Sequence, residues 1–201
     1  MSVFIEANER VSDEADSGPD VADLVWRLRE NERSAVAEVY DRHHDALRRF
    51  ARRLLGSEDA AEDLVHDVFL ALPTAIRRFE GRSSLRTFLV SVAANRCKHH
   101  VRAAIRYRRA KERFAAQSPV IAPPGPSERH EQRELAERLA RALDELDVDQ
   151  RVAFVLMVIE ARPSAEVALI VGAPEATVRT RVLRARRRLA AVLGLEGDND
   201  A

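Results

Sequence analysis

Apolar residues recur every three or four positions along most of this chain, in long stretches rich in Ala, Leu, Arg and Glu. This spacing places apolar side chains on one face of an α-helix, whereas a half-buried strand would alternate apolar and polar residues. Glycine, which weakens helices, accounts for only 7 of the 201 residues. The pattern therefore predicts an all-α protein.

The sequence predicts two helices near the start of the first domain. One apolar stripe begins at Val21, and a second helix is predicted over residues 32–55. Gly56 should end that helix, because glycine tolerates the left-handed conformation of a C-cap, and Ser57 can cap the next helix. The residues expected to face inward in the second helix are Val36, Val39, Tyr40, Leu47, Phe50 and Leu54.

Two more helices follow, separated by a turn at Glu80-Gly81-Arg82-Ser83. Pro73 is expected to kink or end the first of them, and the second is predicted over residues 84–112. The first has the apolar stripe Leu64, Val65, Val68, Phe69 and Leu72. The second has the stripe Leu85, Phe88, Leu89, Val92 and Ala93.

The strongest break in the helical pattern is the segment AAQSPVIAPPGPSERH, where four prolines and a glycine prevent a continuous helix. We expect two small helical domains, at residues 21–114 and 131–193, joined by a flexible Pro-rich linker at 115–130. An acidic tail at residues 1–20 and a short tail at 194–201 complete the predicted organisation. Two tethered domains can engage two separated sites on one partner.

The C-terminal domain has the pattern of a helix-turn-helix. QRVAFVLMVIEA predicts a buried helix, AEVALIV a short second helix, Gly172-Ala173-Pro174 the turn, and EATVRTRVLRARRRLAAVL the third helix. On the third helix, helical periodicity predicts that Thr180, Arg184 and Arg187 point outward. The residues expected to anchor its other face are Val178, Val182, Ala185, Leu189 and Val192.

Charge is balanced overall, with 33 basic and 33 acidic residues, but it is unevenly distributed. Residues 57–67 contain five acids and no Lys or Arg; residues 76–113 contain 12 Lys or Arg and two Glu; residues 174–193 contain six Arg and one Glu. A single charged segment is often only a solvated helix face. An acidic helix beside basic helices favours a protein that contacts a basic protein surface and a phosphate backbone.

Aromatic residues lie among the cations of the basic segment, where rings can stack unpaired bases at about 1 to 3 kcal/mol each. They are Phe79, Phe88 and Tyr107. Phe88 falls on the apolar stripe and is expected to be core. For Phe79, core packing and base stacking remain open at this point.

Several function classes find little support in the sequence. The only cysteine, Cys97, excludes a disulfide within the chain, and the histidines lack the spacing of a metal site, so we expect no metal and no cofactor. No Gly-rich phosphate loop, nucleophile elbow or spaced carboxylate pair is present, which argues against an enzyme. No run of 18 apolar residues and no signal-peptide pattern occurs, so a cytoplasmic protein without membrane insertion is expected.

Two longer motifs resemble one protein family. AEDLVHDVF, followed by FEGRSSLRTFL, is similar to region two of the extracytoplasmic-function (ECF) sigma factors, which belong to the sigma-70 family. GAPEATVRTR is similar to the turn and recognition helix of region four in the same family. The two motifs occur in the family's order on either side of the Pro-rich linker, and the resemblance spans almost the whole chain.

The resemblance implies a non-enzymatic transcription initiation factor that binds core RNA polymerase and promoter DNA. It implies a single-stranded −10 element, a double-stranded −35 element, and an anti-sigma protein that wedges between the domains and inhibits the factor. We expect a monomer when the chain is free. By position, the residues implied in polymerase binding are Glu62, Asp63, Leu64, Asp67 and Phe69.

The DNA contacts implied by the resemblance fall into two groups. Those for the −10 element and strand separation are Phe79, Gly81, Arg82, Ser83, Ser84, Arg86, Asn95 and Lys98. Those for the −35 element are Thr177, Arg179, Thr180, Arg181, Arg184, Arg187 and Arg188. The alternatives are a stand-alone helix-turn-helix regulator with an N-terminal sensing or dimerisation domain, and an adaptor that does not contact DNA.

The chain departs from the family pattern at a few positions. Leu72-Pro73 stands where a tryptophan is common, His99 where an aspartate is usual, and Ala176 where a glycine precedes the Thr-Val pair. Arg162-Pro163-Ser164 replaces a Leu-Ser-Tyr, which removes a serine cap, and Ser164 as a shifted cap or Pro163 in the first turn would compensate. These changes bear on promoter preference.

Overall fold

The computed structural model describes residues 19–117 and 138–194. Within these ranges the chain forms helices and connecting turns and contains no β-strand, which confirms the all-α prediction. Residues 118–130 of the predicted linker, residues 131–137 of the predicted C-terminal domain and most of both predicted tails lie outside the described residues. The prediction that the linker starts at residue 115 is wrong, because the basic helix predicted over residues 84–112 continues to Gln117.

Four helices form an N-terminal bundle. They are α1 (Pro19–Arg29), α2 (Arg33–Leu55), α3 (Glu58–Ala75) and α4 (Leu85–Gln117), with a 3₁₀ turn (Ile76–Arg78) after α3. The other four helices form a C-terminal bundle. They are α5 (residues 138–144), α6 (Val148–Phe154, extended by a π-helical turn Val155–Ile159), α7 (Ser164–Val171) and α8 (Glu175–Leu193).

The boundary between α2 and α3 follows the chemistry of its residues. Gly56 adopts φ 68°, and its N–H donates to the Arg52 carbonyl at 2.8 Å, closing α2. The Ser57 hydroxyl accepts from the Ala60 N–H at 3.5 Å and so caps α3. Both capping predictions are confirmed, and only the two capping residues separate α2 from α3.

Three details of the helix predictions are wrong. Tyr40 is 42% exposed, because the inward stripe of α2 passes from Val39 to the buried His43. The alternative that Pro73 ends α3 is wrong, because the helix continues to Ala75 and only its last turn loses a backbone donor. Val192 is exposed near the end of α8, beyond the surface that its neighbours cover.

The two bundles share one apolar core. Residues of α1 to α4 and of α6 to α8 belong to the same cluster of buried side chains, and α7 packs directly on α4. A smaller cluster joins α5 and the turn after it to the second half of α8; its buried members are Ala142, Leu143, Leu146, Ala185 and Leu189. In this conformation the helix-turn-helix lies against the basic helix α4.

Candidate nucleic-acid and protein interfaces

The acidic helix α3 presents one exposed face. Asp63, His66 and Leu70 are all exposed and follow one another at helical spacing. Glu62 and Asp67 lie beside this face and are held by neighbours: Glu62 pairs with Arg48 of α2, and Asp67 accepts from His100 Nε2 of α4 at 2.8 Å. The helix therefore combines negative charge with an exposed apolar residue, a composition suited to a basic protein partner.

Two of the implied polymerase residues do not reach the surface. Leu64 is fully buried, and Phe69 is 8% exposed and packs on Tyr40 with ring centroids 4.8 Å apart. Both lie on the apolar stripe that attaches α3 to the bundle, so their expected role as direct contacts is corrected to a role in positioning the helix. Leu70, which is 66% exposed, was not among the candidates. The signal was available, because Leu70 falls outside the helical phase of that stripe.

The loop before α4 is fixed by hydrogen bonds at both ends. Arg29 Nη2 donates to the Phe79 carbonyl at 2.6 Å, and Gly81 takes φ 71° at the turn. The Ser84 hydroxyl accepts from the Thr87 N–H at 3.1 Å and so caps α4. These contacts set the direction in which the loop enters the basic helix.

The candidate −10 residues include buried, half-buried and exposed side chains. Phe79 is 8% exposed and packs on Phe88 with ring centroids 5.1 Å apart, and Ser84 is 8% exposed. Neither side chain is accessible for base contact in this conformation, and the structure favours core packing for Phe79. The exposed candidates are Gly81, Arg82, Asn95 and Lys98, while Ser83 and Arg86 are half-buried.

The α8 helix separates an anchoring face from an outward face. Its outward face carries Thr177, Thr180, Arg184 and Arg187, all exposed. Its opposite face is buried through Val178, Val182, Ala185 and Leu189. The outward orientation of Thr180, Arg184 and Arg187 agrees with the prediction from periodicity, and their arrangement matches a helix that can enter the major groove.

The remaining candidates on α8 have partners within the chain. Arg181 Nη2 lies 2.7 Å from Asp149, and Arg188 Nη2 lies 3.0 Å from Glu145. Arg179 pairs with Glu175 one turn earlier, and this contact lowers the pKa of the Glu175 carboxyl. These arginines are therefore positioned by carboxylates.

Ser164 does not act as a shifted cap for α7. Pro163 occupies the cap position with no side-chain hydrogen bond, and Ser164 Oγ instead donates to Glu175 Oε2 at 2.9 Å. This bond ties the start of α7 to the start of α8. Ser164, one of the departures from the family pattern, thus adds a side-chain contact between the two helices of the helix-turn-helix.

The contact between the bundles also carries polar bonds. Thr87 Oγ1 donates to Glu166 of α7 at 3.2 Å, and Arg53 of α2 pairs with Glu160. Cys97 is buried near this contact, and burial raises the pKa of its thiol to about 12. The thiol is therefore protonated at neutral pH and is not a nucleophile there.

The described parts of the chain contain neither a candidate membrane-spanning helix nor a candidate metal-binding group. None of their helices is long and apolar enough to cross a membrane. No group of three or more potential metal ligands occurs among residues 19–117 and 138–194.

Comparison with known proteins assigns the two bundles to known regions. Residues 39–112 match the family model Sigma-70 region 2, and residues 136–189 match Sigma-70, region 4. The ECF RNA polymerase sigma factor SigM of Mycobacterium tuberculosis (strain ATCC 25618 / H37Rv) is 32% identical over 173 residues, which cover 86% of this chain and 84% of SigM. The chain belongs to the ECF RNA polymerase sigma factors. As a member, it is a transcription initiation factor, and sigma factors are not enzymes.

Two further relatives agree with this assignment. ECF RNA polymerase sigma factor SigC of Mycobacterium tuberculosis (strain CDC 1551 / Oshkosh) is 34% identical over 139 residues, covering 68% of this chain and 72% of SigC. The solved structure of CnrH in complex with the cytosolic domain of CnrY matches this ECF sigma factor with a TM-score of 0.58 and 26% identity, covering 87% of this chain and 97% of CnrH.

Proposed function

We propose that this ECF sigma factor docks on core RNA polymerase through α3 and directs it to promoters through two separate DNA-contacting surfaces. The N-terminal surface, at the start of α4 and along that helix, contacts the −10 element. The C-terminal surface, on α8, contacts the −35 element. The observation that carries this proposal is the outward face of α8, because its arginines stand free of the apolar anchor that holds the helix.

The polymerase contact is assigned to the exposed face of α3. Asp63 supplies charge for a basic surface, and Leu70 supplies apolar area that polymerase would cover. Glu62 and Asp67 border the face and are oriented by their pairs. Long-range attraction between charges accelerates association with polymerase, and burial of the apolar residue slows dissociation.

The −10 contact is assigned to exposed groups of the N-terminal bundle. Arg82 at the turn and Lys98 on α4 meet phosphates, and Asn95 is available to hydrogen-bond a base edge. Extruding a base costs a few kcal/mol of stacking, which a pocket on a basic helix can offset. The half-buried Ser83 and Arg86 border this surface.

The −35 contact is assigned to α8 entering the major groove of intact duplex. Arg184 and Arg187 lie on the outward face and are suited to base edges, where an arginine contacts guanine with two hydrogen bonds. Thr177 and Thr180 flank them toward the helix N-terminus. The remaining arginines, Arg179, Arg181 and Arg188, meet the backbone phosphates on either side.

An anti-sigma protein is a further proposed partner. CnrH is similar to this chain along almost its whole length, and its structure is of a complex with the cytosolic domain of CnrY. By analogy, a regulatory polypeptide binds this sigma factor when it is not on polymerase. The chain is otherwise a monomer with no catalytic activity, and it acts in the cytoplasm beside its polymerase.

Reconstituted transcription tests the proposed function. Core polymerase is supplied with this chain and with fragments of the host genome, and RNA start sites are mapped with and without the chain. Sequence-specific initiation should appear only when the chain is present. A chain that binds defined duplexes alone and changes no start site would instead be a stand-alone regulator.

A further inference from the structure

The first helix, α1, lies outside the part of the chain that matches the Sigma-70 region 2 model. The match covers residues 39–112, whereas α1 spans Pro19–Arg29. The motifs and the family match therefore assign no role to α1. In the structure, α1 packs on α2 and on the 3₁₀ turn that leads into the loop before α4.

A side chain of α1 holds the backbone of that loop, which we call the −10 loop and define as residues 79–84. Arg29 Nη2 donates to the Phe79 carbonyl oxygen at 2.6 Å, in a partly buried hydrogen bond between residues 50 apart in the chain. Hydrogen bonds from a charged donor are about twice as strong as those between neutral groups. The last residue of α1 therefore anchors the first residue of the −10 loop.

The helix that supplies this anchor is itself fixed on the bundle. Arg27 Nη1 donates to Glu38 of α2 at 2.9 Å, and Arg27 Nε donates to Glu32 at 2.9 Å. The Asn31 N–H donates to the Leu28 carbonyl at 3.1 Å and closes the end of the helix. The apolar face of α1 is buried through Val21, Leu24, Val25 and Leu28. Arg29 thus extends from a fixed helix end.

Phe79 is held by three elements of the bundle. Its N–H donates to the Ile76 carbonyl at 3.0 Å, its carbonyl accepts from Arg29, and its ring packs on Phe88 of α4. The Arg29 bond acts on the carbonyl, and therefore on the orientation of the peptide group that leads into Glu80. Loss of this bond would leave the ring in place but free that peptide group to rotate.

The other end of the −10 loop is fixed without α1. The Ser84 hydroxyl accepts from the Thr87 N–H at 3.1 Å at the start of α4. Between the two ends, Gly81 and Arg82 are exposed, and a Cβ added at Gly81 would meet no atom within 4 Å. The −10 loop is therefore an exposed arch between two anchors, and α1 supplies one of them.

We propose that Arg29 is a positioning residue for −10 recognition, so that α1 contributes to this step although it lies outside the region 2 match. The proposal rests on the proposed function, since it takes the −10 loop as an element that meets the unpaired strand. With the Phe79 carbonyl held, the arch presents Gly81 and Arg82 in one arrangement, and less ordering is needed when DNA binds. Without the bond, the arch adopts several arrangements and distinguishes correct from incorrect bases less well.

A direct contact between Arg29 and a DNA phosphate is the main alternative, because the residue is exposed. The 2.6 Å bond to the Phe79 carbonyl favours positioning, since that contact already directs the guanidinium toward the loop backbone. Phosphate contacts carry no sequence information, whereas a positioned loop does. The two roles therefore predict different losses when Arg29 is replaced.

The first measurement is amide hydrogen exchange, followed by NMR in the free full-length chain. The Phe79 N–H reports on the anchor that α1 supplies, and the Thr87 N–H reports on the other anchor. The test variant is Arg29→Ala. The matched control is Arg33→Ala, which removes the same charge from an exposed position at the start of α2.

In Arg29→Ala, the Phe79 amide should exchange about tenfold faster, because a hydrogen bond from a charged group is lost. The Thr87 amide, and both amides in Arg33→Ala, should exchange as in the parent chain. Equal acceleration at Phe79 and Thr87 would show a general loss of stability and would overturn the proposal. Unchanged exchange at Phe79 would also overturn it.

The second measurement is competition between promoters in reconstituted transcription with core polymerase. The preference of Arg29→Ala for the best −10 sequence over single-base substitutions should fall by about fivefold, because the loop is less ordered before it binds. Its preference among −35 sequences should not change, and Arg33→Ala should match the parent chain. A uniform loss of initiation with −10 preference intact would make Arg29 a phosphate contact and would contradict the positioning role.

Arg29→Lys separates the hydrogen bond from the charge, because lysine keeps the charge but reaches the carbonyl with a different donor. Slow exchange at Phe79 and −10 preference should recover to the same extent in this variant. Recovery of the preference without recovery of slow exchange would mean that charge alone acts, against the proposal.

Failure of this inference and failure of the proposed function give different results. If the parent chain distinguishes −10 sequences and Arg29→Ala distinguishes them equally well, the positioning role alone fails. If the parent chain supports no promoter-specific initiation, the proposed function fails and takes the positioning role with it, whatever the exchange rates show.

Discussion

The exposed faces of the two basic helices, α4 and α8, are determined in different ways. The outward face of α8 depends on one periodicity, because Val178, Val182, Ala185 and Leu189 anchor one side and leave the other free. The surface of α4 depends on its neighbours. Its first turn is covered by α7 through the Thr87–Glu166 bond, and its middle is paired with Glu145 and Asp149 of the C-terminal bundle.

This difference separates the proposed DNA contacts that depend on one helix from those that depend on how the bundles are arranged. An arginine on the outward face of α8 is available whether the bundles are together or apart. A group on α4 such as Lys98 is exposed, but its ammonium lies 3.6 Å from the carboxylate of Asp149, so its surroundings depend on how the bundles are arranged. Substitutions that act on one helix or on the contact between bundles should therefore have different effects.

The largest expected effect is on the buried part of the bundle contact. Asp144→Asn removes the negative charge that Arg108 and Arg151 share, and burial already lowers the pKa of Arg151. Leaving these cations uncompensated should lower the free energy of unfolding by about 3 kcal/mol. Urea denaturation followed by circular dichroism measures the change.

The control for this prediction is Asp149, a more exposed carboxylate in the same contact between the bundles. Asp149→Asn should change the unfolding free energy by no more than about 1 kcal/mol, because its pairs are partly solvated. Equal losses in the two variants would mean that burial does not set the strength of these ion pairs.

The second effect concerns the intrinsic surface of α8. Arg184→Ala should weaken recognition of the −35 element by about 1 to 3 kcal/mol, roughly 5- to 150-fold, if Arg184 reads a base. Competition between promoter variants in reconstituted transcription measures the loss and shows whether it depends on the base pair. A uniform loss across sequences would assign Arg184 to phosphate instead.

Arg186→Ala is the matched control on α8. It removes the same charge from an exposed flank, away from the outward face. It should leave discrimination between −35 sequences unchanged. If both variants lose discrimination equally, the helix is not docked by the face that periodicity assigns.

Periodicity was sufficient at most positions that one helix sets, although it wrongly placed Tyr40 and Val192 in the core. The class, the caps at Gly56 and Ser57, the bounds of α8 and the outward position of Arg184 all follow from local residue chemistry. The family motifs likewise lie in short segments that match known regions of sigma factors. Local sequence carries both kinds of information, which is why these predictions are confirmed.

Contacts between distant segments could not be predicted from the sequence. The burial of Ser84 depends on its bond to Thr87, which in turn meets Glu166. The shared carboxylate of Asp149 depends on two helices converging from separate bundles. Charge runs predicted which helices are basic, but no spacing rule pairs an acid with cations about 30 to 50 residues away along the chain.

A third effect tests α3, whose acidic face is intrinsic in the same sense as the outward face of α8. Asp63→Lys should weaken binding to core polymerase by about 1 to 2 kcal/mol, roughly tenfold, because it places a like charge against a basic surface. Titration of labelled core polymerase measures the affinity. Asp41→Lys on α2 makes the same charge reversal outside this face and should have little effect. Equal affinities for Asp63→Lys and the parent chain would remove Asp63 from the docking surface.

The smallest effect distinguishes a capping role from a DNA role at the covered end of α4. Ser84→Ala removes the acceptor for the Thr87 N–H and should lower the unfolding free energy by about 1 kcal/mol. Ser83→Ala serves as the stability control, because its hydroxyl caps no helix amide. Promoter opening, measured by permanganate reactivity of unpaired thymines well below the unfolding temperature, should be unchanged by Ser84→Ala. A loss of opening without a loss of stability would show that Ser84 turns toward DNA once α7 has moved away, so that even the cap at this end of α4 depends on conformation.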